Sequence, residues 1–393
     1  MATDEQVHKV SLKVLVDKEK NKVIFAEAGK DFVDALLSIL TLPLGTIARL
    51  VAKESHIPPV KFGSLSSLYE SVSHLEDKYQ RCRCGNLMNR EVFPIEVIPG
   101  NGFVNEIATF IICDDLSVLP NVVGTSVVDI LKLSLLSKTP LTDFILEKKD
   151  DNFNPINQPQ IGIGEKSSDE GRKMDVKVLV RKSDSKILFV EAEADFADLL
   201  FSLLTLPLGG VLHMLNGCSS LDCIDKLYNS TFELNTDRYF RSQELKDKLA
   251  NPQCAPQFNL HDQILPIGAV CLPLYYYVTV ESCVCLTTSP NSWQFAIVDP
   301  KSCIGGSSSN GGFAKAQSMF LVTDDLVMTP MSSISCISFL NRSKVSPLDL
   351  EERVVKIGVK EALAILKASL TSTSALTNGL KQFIKKASIK REI

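Results

Sequence analysis

The six-residue sequence Leu-Thr-Leu-Pro-Leu-Gly occurs twice in this chain, at residues 40–45 and at residues 204–209. A longer repeat surrounds it: residues 12–51 align without a gap on residues 176–215, and 20 of the 40 aligned positions are identical. Two copies of one sequence are expected to adopt one fold twice. We therefore predict two tandem homologous α+β domains in a pseudo-twofold arrangement.

Each copy begins with the pattern of a β-hairpin followed by a broken pair of helices. In the first copy, apolar residues recur at every second position of residues 11–16, and residues 23–26 form a second apolar run after a charged turn. This spacing predicts two paired strands. Pro43 lacks the backbone N–H that a helix needs, so it ends the helix after the hairpin, and Gly45 permits a tight reversal into a second short helix. The leucines of the hexapeptide are expected to be buried there, in preference to forming a recognition loop for a partner.

Matches between the copies continue downstream, where a buried strand ending in Asp-Asp-Leu and a later amphipathic helix complete each copy. The offset of these matches rises along the chain, which places two insertions in the second copy, roughly between residues 239 and 312 and between residues 330 and 354, and we predict that both are surface loops. A stretch rich in charged residues, Asn, Pro, Gln, Gly and Ser separates the copies and is predicted to be a flexible linker. The predicted divisions are the first copy at residues 8–147, the linker at residues 148–173, the second copy with two insertions at residues 174–380, and a basic C-terminal tail at residues 381–393.

The composition limits the class of protein. The chain has 393 residues, of which 45% are hydrophobic and 22% charged, and its formal net charge is −4. These values are typical of a globular protein and give no global attraction to nucleic acid or to an anionic membrane. No apolar run approaches the roughly 18–20 residues that span a bilayer, no signal-peptide core follows the polar start, and eleven cysteines without regular spacing favour reduced thiols. We predict a protein of the cytoplasm or the nucleus without a transmembrane segment, whose basic tail is a solvated helix end or, alternatively, a contact for an acidic partner, membrane, nucleic acid or import receptor.

Several stretches are similar to one known family. They are Lys-Val-Leu-Val in both copies, the repeated hexapeptide, Val-Thr-Asp-Asp-Leu-Val-Met-Thr-Pro-Met at residues 322–331, and residues 335–340. Over nearly its whole length, from about residue 10 to about residue 380, the chain resembles the plant-specific family called domain of unknown function 674. The resemblance implies a plant source and an uncharacterised role, and it brings no activity, cofactor or catalytic residue.

Members of this family often carry cysteine pairs just before the Asp-Asp-Leu strand. This chain has Cys283 and Cys285, but Cys303 is followed by Ile-Gly-Gly where the second cysteine of a pair is expected. Structural zinc requires four Cys or His ligands, usually in two close pairs, so Cys254 or Cys271 would have to complete the set. We therefore predict reduced thiols and no cofactor, and zinc bound by Cys283, Cys285 and Cys303 is the alternative.

Charged residues that recur in both copies are the other candidates for a site. Paired carboxylates bind divalent cations or act in acid–base chemistry, but they also end strands and cap turns through bonds to backbone N–H groups. We prefer the second interpretation, because neighbouring residues on a strand point to opposite faces. The residues of the alternative, a ligand-binding cleft between the copies, are Lys13, Lys177, Asp114, Asp115, Asp324 and Asp325.

The function predicted from these patterns is a non-enzymatic protein-interaction module. Apolar and helix-breaking residues recur between the copies, whereas the five histidines do not recur and no set of catalytic residues is assigned. The partner is an unspecified protein, and the second-copy insertions are predicted to carry the specificity. The alternatives are a small-ligand binder or enzyme with a site in the cleft between the copies, and a zinc-dependent interaction domain.

Overall fold

The computed structural model describes residues 13–53, 58–75, 110–113, 116, 118–119, 127–145, 173–254, 260, 263–268, 275–280, 283–287, 293–295, 313–314 and 319–389. The strands within these residues are β1 (Lys13–Asp17), β2 (Lys22–Ala28), β3 (Phe110–Cys113), β4 (Val118–Leu119), β5 (Met174–Arg181), β6 (Lys186–Ala192), β7 (Tyr275–Val280), β8 (Cys283–Thr287), β9 (Trp293–Phe295), β10 (Phe320–Thr323), β11 (Met328–Pro330) and β12 (Leu350–Ile357).

Short helices account for most of the remaining described chain. They are α1 (Lys30–Ser38), α2 (Leu44–Val51), α3 (Gly63–His74), α4 (Val127–Leu136), α5 (Pro140–Ile145), α6 (Ala194–Leu203), α7 (Leu208–Met214), α8 (Asp222–Glu233), α9 (Thr236–Tyr239), α10 (Gln243–Ala250), α11 (Ser333–Ser343), α12 (Val359–Thr371) and α13 (Ala375–Ile389). Single 3-10 turns lie at Ile39–Thr41 and at Pro347–Asp349.

The described strands form three antiparallel sheets. Their strand orders are β1-β2-β3-β4, β11-β10-β6-β5-β12 and β8-β7-β9. The described chain combines helices with antiparallel sheets, which is the α+β class. The predicted fold class is confirmed.

The hairpins of the two halves share one register. Lys13 lies opposite Glu27 in β1–β2, and Lys177 lies opposite Glu191 in β5–β6. Each ladder also shifts at the same place, after Leu15 in β1 and at the aligned position of β5. The shift inserts one extra residue into β2 and into β6, a β-bulge that increases the local twist. Residues that are identical in sequence therefore occupy equivalent positions in the two hairpins.

The two copies of the hexapeptide face each other, joined by an antiparallel bridge at their prolines. The N–H of Leu44 donates a hydrogen bond to the carbonyl of Leu206 at 2.9 Å, and the N–H of Leu208 donates to the carbonyl of Leu42 at 2.9 Å. These two bonds are equivalent when the halves are exchanged. Most leucines of the hexapeptides are at most 1% exposed, as predicted, namely Leu40, Leu44, Leu206 and Leu208.

One helix of each half also packs against a helix of the other half. Helix α3 packs against α12 of the second half, and α8 packs against α4 of the first half. The Ser64 hydroxyl at the start of α3 donates to the carbonyl of Ser372 at 2.6 Å, and the Cys223 thiol in α8 donates to the carbonyl of Ser137 at 3.1 Å. Residues of both halves therefore belong to one continuous hydrophobic core.

The insertions contain regular structure. The first insertion includes α10 and the sheet of β7, β8 and β9, and the second includes α11 and β12. Strand β12 pairs with β5 along eight residues and forms an edge of the second sheet. The prediction that both insertions are surface loops is wrong, because both contain helices and strands, and Val355 and Ile357 of β12 are buried.

Candidate functional site

Asp324, from the predicted carboxylate pair, caps a helix. It follows β10, it is buried, and its Oδ1 accepts a hydrogen bond from the N–H of Thr377 at 2.7 Å, in the first turn of α13. Its Oδ2 lies 3.8 Å from Nζ of Lys186. A carboxylate at this place satisfies a backbone donor that the first turn of a helix leaves without a partner.

Burial also affects the pKa of this group. Removal from water raises the pKa of Asp324 above its ordinary value, and the bonds from Thr377 and the charge of Lys186 oppose that rise. A buried carboxyl can also be tuned for catalysis. Here Oδ1 accepts the N–H of Thr377 in the first turn of α13, so capping accounts for the position of this oxygen.

Asp325 and the following leucine form a tight turn. The hydroxyl of Thr323 donates to Oδ1 of Asp325 at 2.5 Å, and the turn continues into β11. Leu326 has a φ of 64° and Leu116, after the first Asp-Asp pair, has a φ of 65°. Both leucines are completely buried. The left-handed conformation costs a non-glycine residue about 1–2 kcal/mol, and the burial of a leucine side chain offsets a cost of that size.

Lys177 has different neighbours. Its Nζ lies 3.7 Å from Oε2 of Glu191 in β6 and 3.8 Å from Oε1 of Glu352 in β12. Lys177 lies opposite Glu191 of β6, and Glu191 lies opposite Leu321 of β10. Lys177 is therefore two strands away from β10, at the level of a residue that precedes Asp324 by three positions. The structure therefore does not bring Lys177 and Asp324 together.

The remaining predicted ligands are only partly described. In the first half, Lys13 lies in β1 opposite Glu27, while Asp114 and Asp115 lie outside the described residues. Cys283 and Cys285 are both in β8, opposite Val280 and Val278 of β7, and Cys303 lies outside the described residues. Within the described part of the chain, no group of three or more Cys, His, Asp or Glu residues could hold a metal ion.

The most unusual surface of the described chain is on α11. Its inner face packs on the outer face of the second sheet, where Phe339 meets the ring of Phe189 edge-on at 5.7 Å between centroids. Its N-terminus is fixed by a capping box between Ser332 and Ser335. The outer face carries Ile334, which is 78% exposed, and Ile337, which is 58% exposed. An ordered helix thus presents isoleucines to solvent.

The chain after α11 presents two more large apolar side chains. Leu348 in the 3-10 turn is 87% exposed, and Val354 in β12 is 53% exposed. The turn is not a frayed end, because Nζ of Lys182 donates to the carbonyl of Leu348 at 2.9 Å and Asp349 accepts bonds from the N–H and hydroxyl of Ser183. Residues 333–357, which we call the α11–β12 segment, are therefore the candidate interaction surface.

Sequence reasoning placed specificity in this insertion but did not identify these residues. The signal was present: Ile334 and Ile337 are three residues apart, whereas the inward-facing Phe339 and Leu340 lie on another side of the helix. Two apolar faces on one short helix indicate that the helix is covered from two sides.

Comparison of the sequence with known protein families identifies one family that matches most of the chain. The model of a family described as "Protein of unknown function (DUF674)" matches residues 6–80 and 119–359. No curated protein and no solved structure matches the chain. Among the described residues, no helix has the length and apolar character required to cross a bilayer.

Proposed function

The chain belongs to the DUF674 family of proteins of unknown function, and from that premise we propose that it is a non-enzymatic protein-interaction module of the cell interior. The partner docks on the α11–β12 segment. The observation that carries this proposal is the exposure of Ile334 and Ile337 on the outer face of a capped helix.

Exposure of this kind favours a binding role. Single exposed apolar residues are common on soluble proteins, but several in one ordered segment are typical of interaction sites. The large exposed apolar residues of the segment are Ile334, Ile337, Leu348 and Val354. A helix-in-groove partner would take the isoleucines as anchors.

The predicted charged site offers less support for an enzyme. Asp324 caps α13, and Lys177 pairs with two glutamates on neighbouring strands. Asp324 thus has a structural role through its Oδ1, and Lys177 is ion-paired on the exposed face of the sheet.

The test compares the proteins bound to the full chain and to a double variant, Ile334→Asp with Ile337→Asp, after expression in cells of the native organism. Quantitative mass spectrometry is expected to show at least one stoichiometric partner with the wild type that the variant loses. The matched control is Ser338→Asp, which adds a charge to the same exposed helix without removing an apolar side chain. A partner that the double variant retains in full would contradict the proposal.

The same purified wild-type protein distinguishes the alternatives. Elemental analysis under reducing conditions tests zinc at Cys283, Cys285 and Cys303, and native mass spectrometry tests a retained small molecule. Stoichiometric zinc, or a ligand lost in Lys177→Met or Asp324→Asn variants, would replace the interaction module by the corresponding alternative.

A further inference from the structure

The first sheet lacks, among the described residues, two elements that complete the second. Strand β5 pairs with β6 on one side and with β12 on the other. Its counterpart β1 pairs with β2 and is the outermost of the described strands of its sheet. Helix α11 covers the outer face of the second sheet, and no described helix takes that place on the first.

The difference between the two sheets is visible in the solvent exposure of aligned residues. Leu188 under α11 is 6% exposed, whereas Ile24 at the same position of the first hairpin is 51% exposed. Leu179 is packed into the cluster under α11, whereas its counterpart Leu15 is 49% exposed. Aligned apolar side chains are thus covered in one half and open to solvent in the other.

The inward-facing residues of β5 and β1 show the same difference in burial between the two halves. Val178 and Val180 of β5 are at most 1% exposed. Val14 and Val16 occupy the aligned positions of β1 and are only partly buried. An open sheet edge with apolar residues on both faces is a template for pairing with another strand.

We propose that the chain forms a twofold dimer in which β1 pairs antiparallel with β1 of a second copy, which extends the two first-half sheets into one. This inference uses the first sheet and does not rest on the function proposed for the α11–β12 segment. A twofold axis through the strand pair makes the pairing antiparallel, as β12 is to β5.

The charges of β1 select this partner and this register. The strand reads Lys-Val-Leu-Val-Asp, with one basic residue at its start and one acidic residue at its end. Antiparallel pairing centred on Leu15 places Lys13 of each copy opposite Asp17 of the other and places the two Leu15 residues side by side. Opposite charges across a strand pair are stabilising and like charges are destabilising.

The second half contains an ion pair like the one proposed between Lys13 and Asp17 of the two copies. Lys177, which aligns with Lys13, has Glu352 of β12 at 3.8 Å across the edge that β1 leaves open. In the dimer, Asp17 of the second copy supplies the carboxylate. Asp17 already accepts bonds from the N–H groups of Glu19 and Lys20 in its own turn, and a carboxylate has lone pairs for a further donor.

Analytical ultracentrifugation of the full chain over a concentration series tests the dimer. The wild type is expected to show a concentration-dependent dimer, and Leu15→Asp is expected to raise its dissociation constant about tenfold or more, since an apolar contact is replaced by two facing charges. Met319→Asp is the matched control, because it places the same charge at an exposed apolar position directly before β10 of the other sheet. A chain that stays monomeric, or a dimer that Leu15→Asp leaves intact, would overturn the proposal.

Charge reversal tests the register. The Lys13→Asp chain is acidic at both ends of β1, and the Asp17→Lys chain is basic at both ends, so each is expected to lose self-association. Mixed together, the two chains place opposite charges at both ends of the strand pair and are expected to form a heterodimer. If the mixture associates no better than either variant alone, with circular dichroism showing both folded, β1 does not pair with itself in this register and the inference fails.

Discussion

The hydroxyl oxygen of Thr142 accepts a hydrogen bond from the backbone N–H of Val23 at 2.9 Å, at the bulge of the first hairpin. In the second half, Thr377 accepts from the N–H of Ile187 at 2.9 Å at the equivalent bulge. A β-bulge disrupts the ladder locally. In both halves a threonine more than a hundred residues away satisfies a backbone donor at the disruption.

Replacement of either threonine by valine is expected to destabilise the protein by about 1–3 kcal/mol, because it leaves a buried N–H without its acceptor. Thr142→Val and Thr377→Val are expected to give similar losses in urea denaturation. Thr142→Ser and Thr377→Ser are the controls, since they keep the hydroxyl. Valine variants as stable as the serine variants would show that the bond is not required.

The glycines of the two hexapeptides are expected to tolerate no side chain. A Cβ at Gly45 would lie 2.9 Å from the carbonyl oxygen of Leu204, and one at Gly209 would lie 3.0 Å from that of Leu40. Gly45→Ala and Gly209→Ala should each cost about 1–3 kcal/mol, since overpacking forces the two halves apart. Gly268→Ala, where the nearest atom is the flexible end of Gln253 at 3.4 Å, should stay within about 0.5 kcal/mol of the wild type. Equal thermal midpoints for all three variants would contradict the close approach of the hexapeptides.

The two halves are expected to stay together after the chain between them is cut. A protease site is inserted in residues 148–173 and cleaved under native conditions. Because α3 packs on α12 and α8 packs on α4, the fragments should co-elute in size-exclusion chromatography and separate only in denaturant. Fragments that separate in native buffer would indicate two independent domains.

Stability is expected to depend on the protonation of Asp324. Burial raises its pKa in the folded protein, so the stability that the protonated group contributes is fully present below the ordinary value of about 4 and is lost as pH rises through the raised value. Asp324→Asn cannot ionise and keeps an oxygen for the N–H of Thr377. The free energy of unfolding of the wild type minus that of Asp324→Asn should therefore fall as pH rises from 4 to 7. A difference that grows with pH would mean that the ion pair with Lys186 dominates over burial.

Loss of the helix cap is expected to lower the free energy of unfolding separately from the effect of pH. Asp324→Ala removes the acceptor for the first turn of α13 and should be about 0.5–2 kcal/mol less stable than Asp324→Asn at every pH from 4 to 7, because neither variant ionises. The asparagine variant should retain most of that stability in the same denaturation experiment. Equal losses for the alanine and asparagine variants would exclude capping as the role of Asp324.

Much of the local structure could be predicted from the sequence. Period-two alternation located the first hairpin, and Pro43 ended the first helix because its ring removes a backbone donor. Burial of the hexapeptide leucines followed from their composition. The α11–β12 segment was placed as an insertion, but its helix and strand were missed because they gain their stability by packing on the second sheet.

By itself, the sequence determined the elements that recur in both halves and the α+β class, because hydrophobic periodicity and the backbone limits of proline and glycine act over a few residues. Only the tertiary structure decided that the two hexapeptides face each other, that α3 and α8 cross between halves, and that Asp324 caps a distant helix. These arrangements depend on contacts between residues far apart in the chain, and an apolar residue carries no information about which apolar partner will cover it. For the same reason the sequence could not reveal that Leu15 is open to solvent while Leu179 is covered.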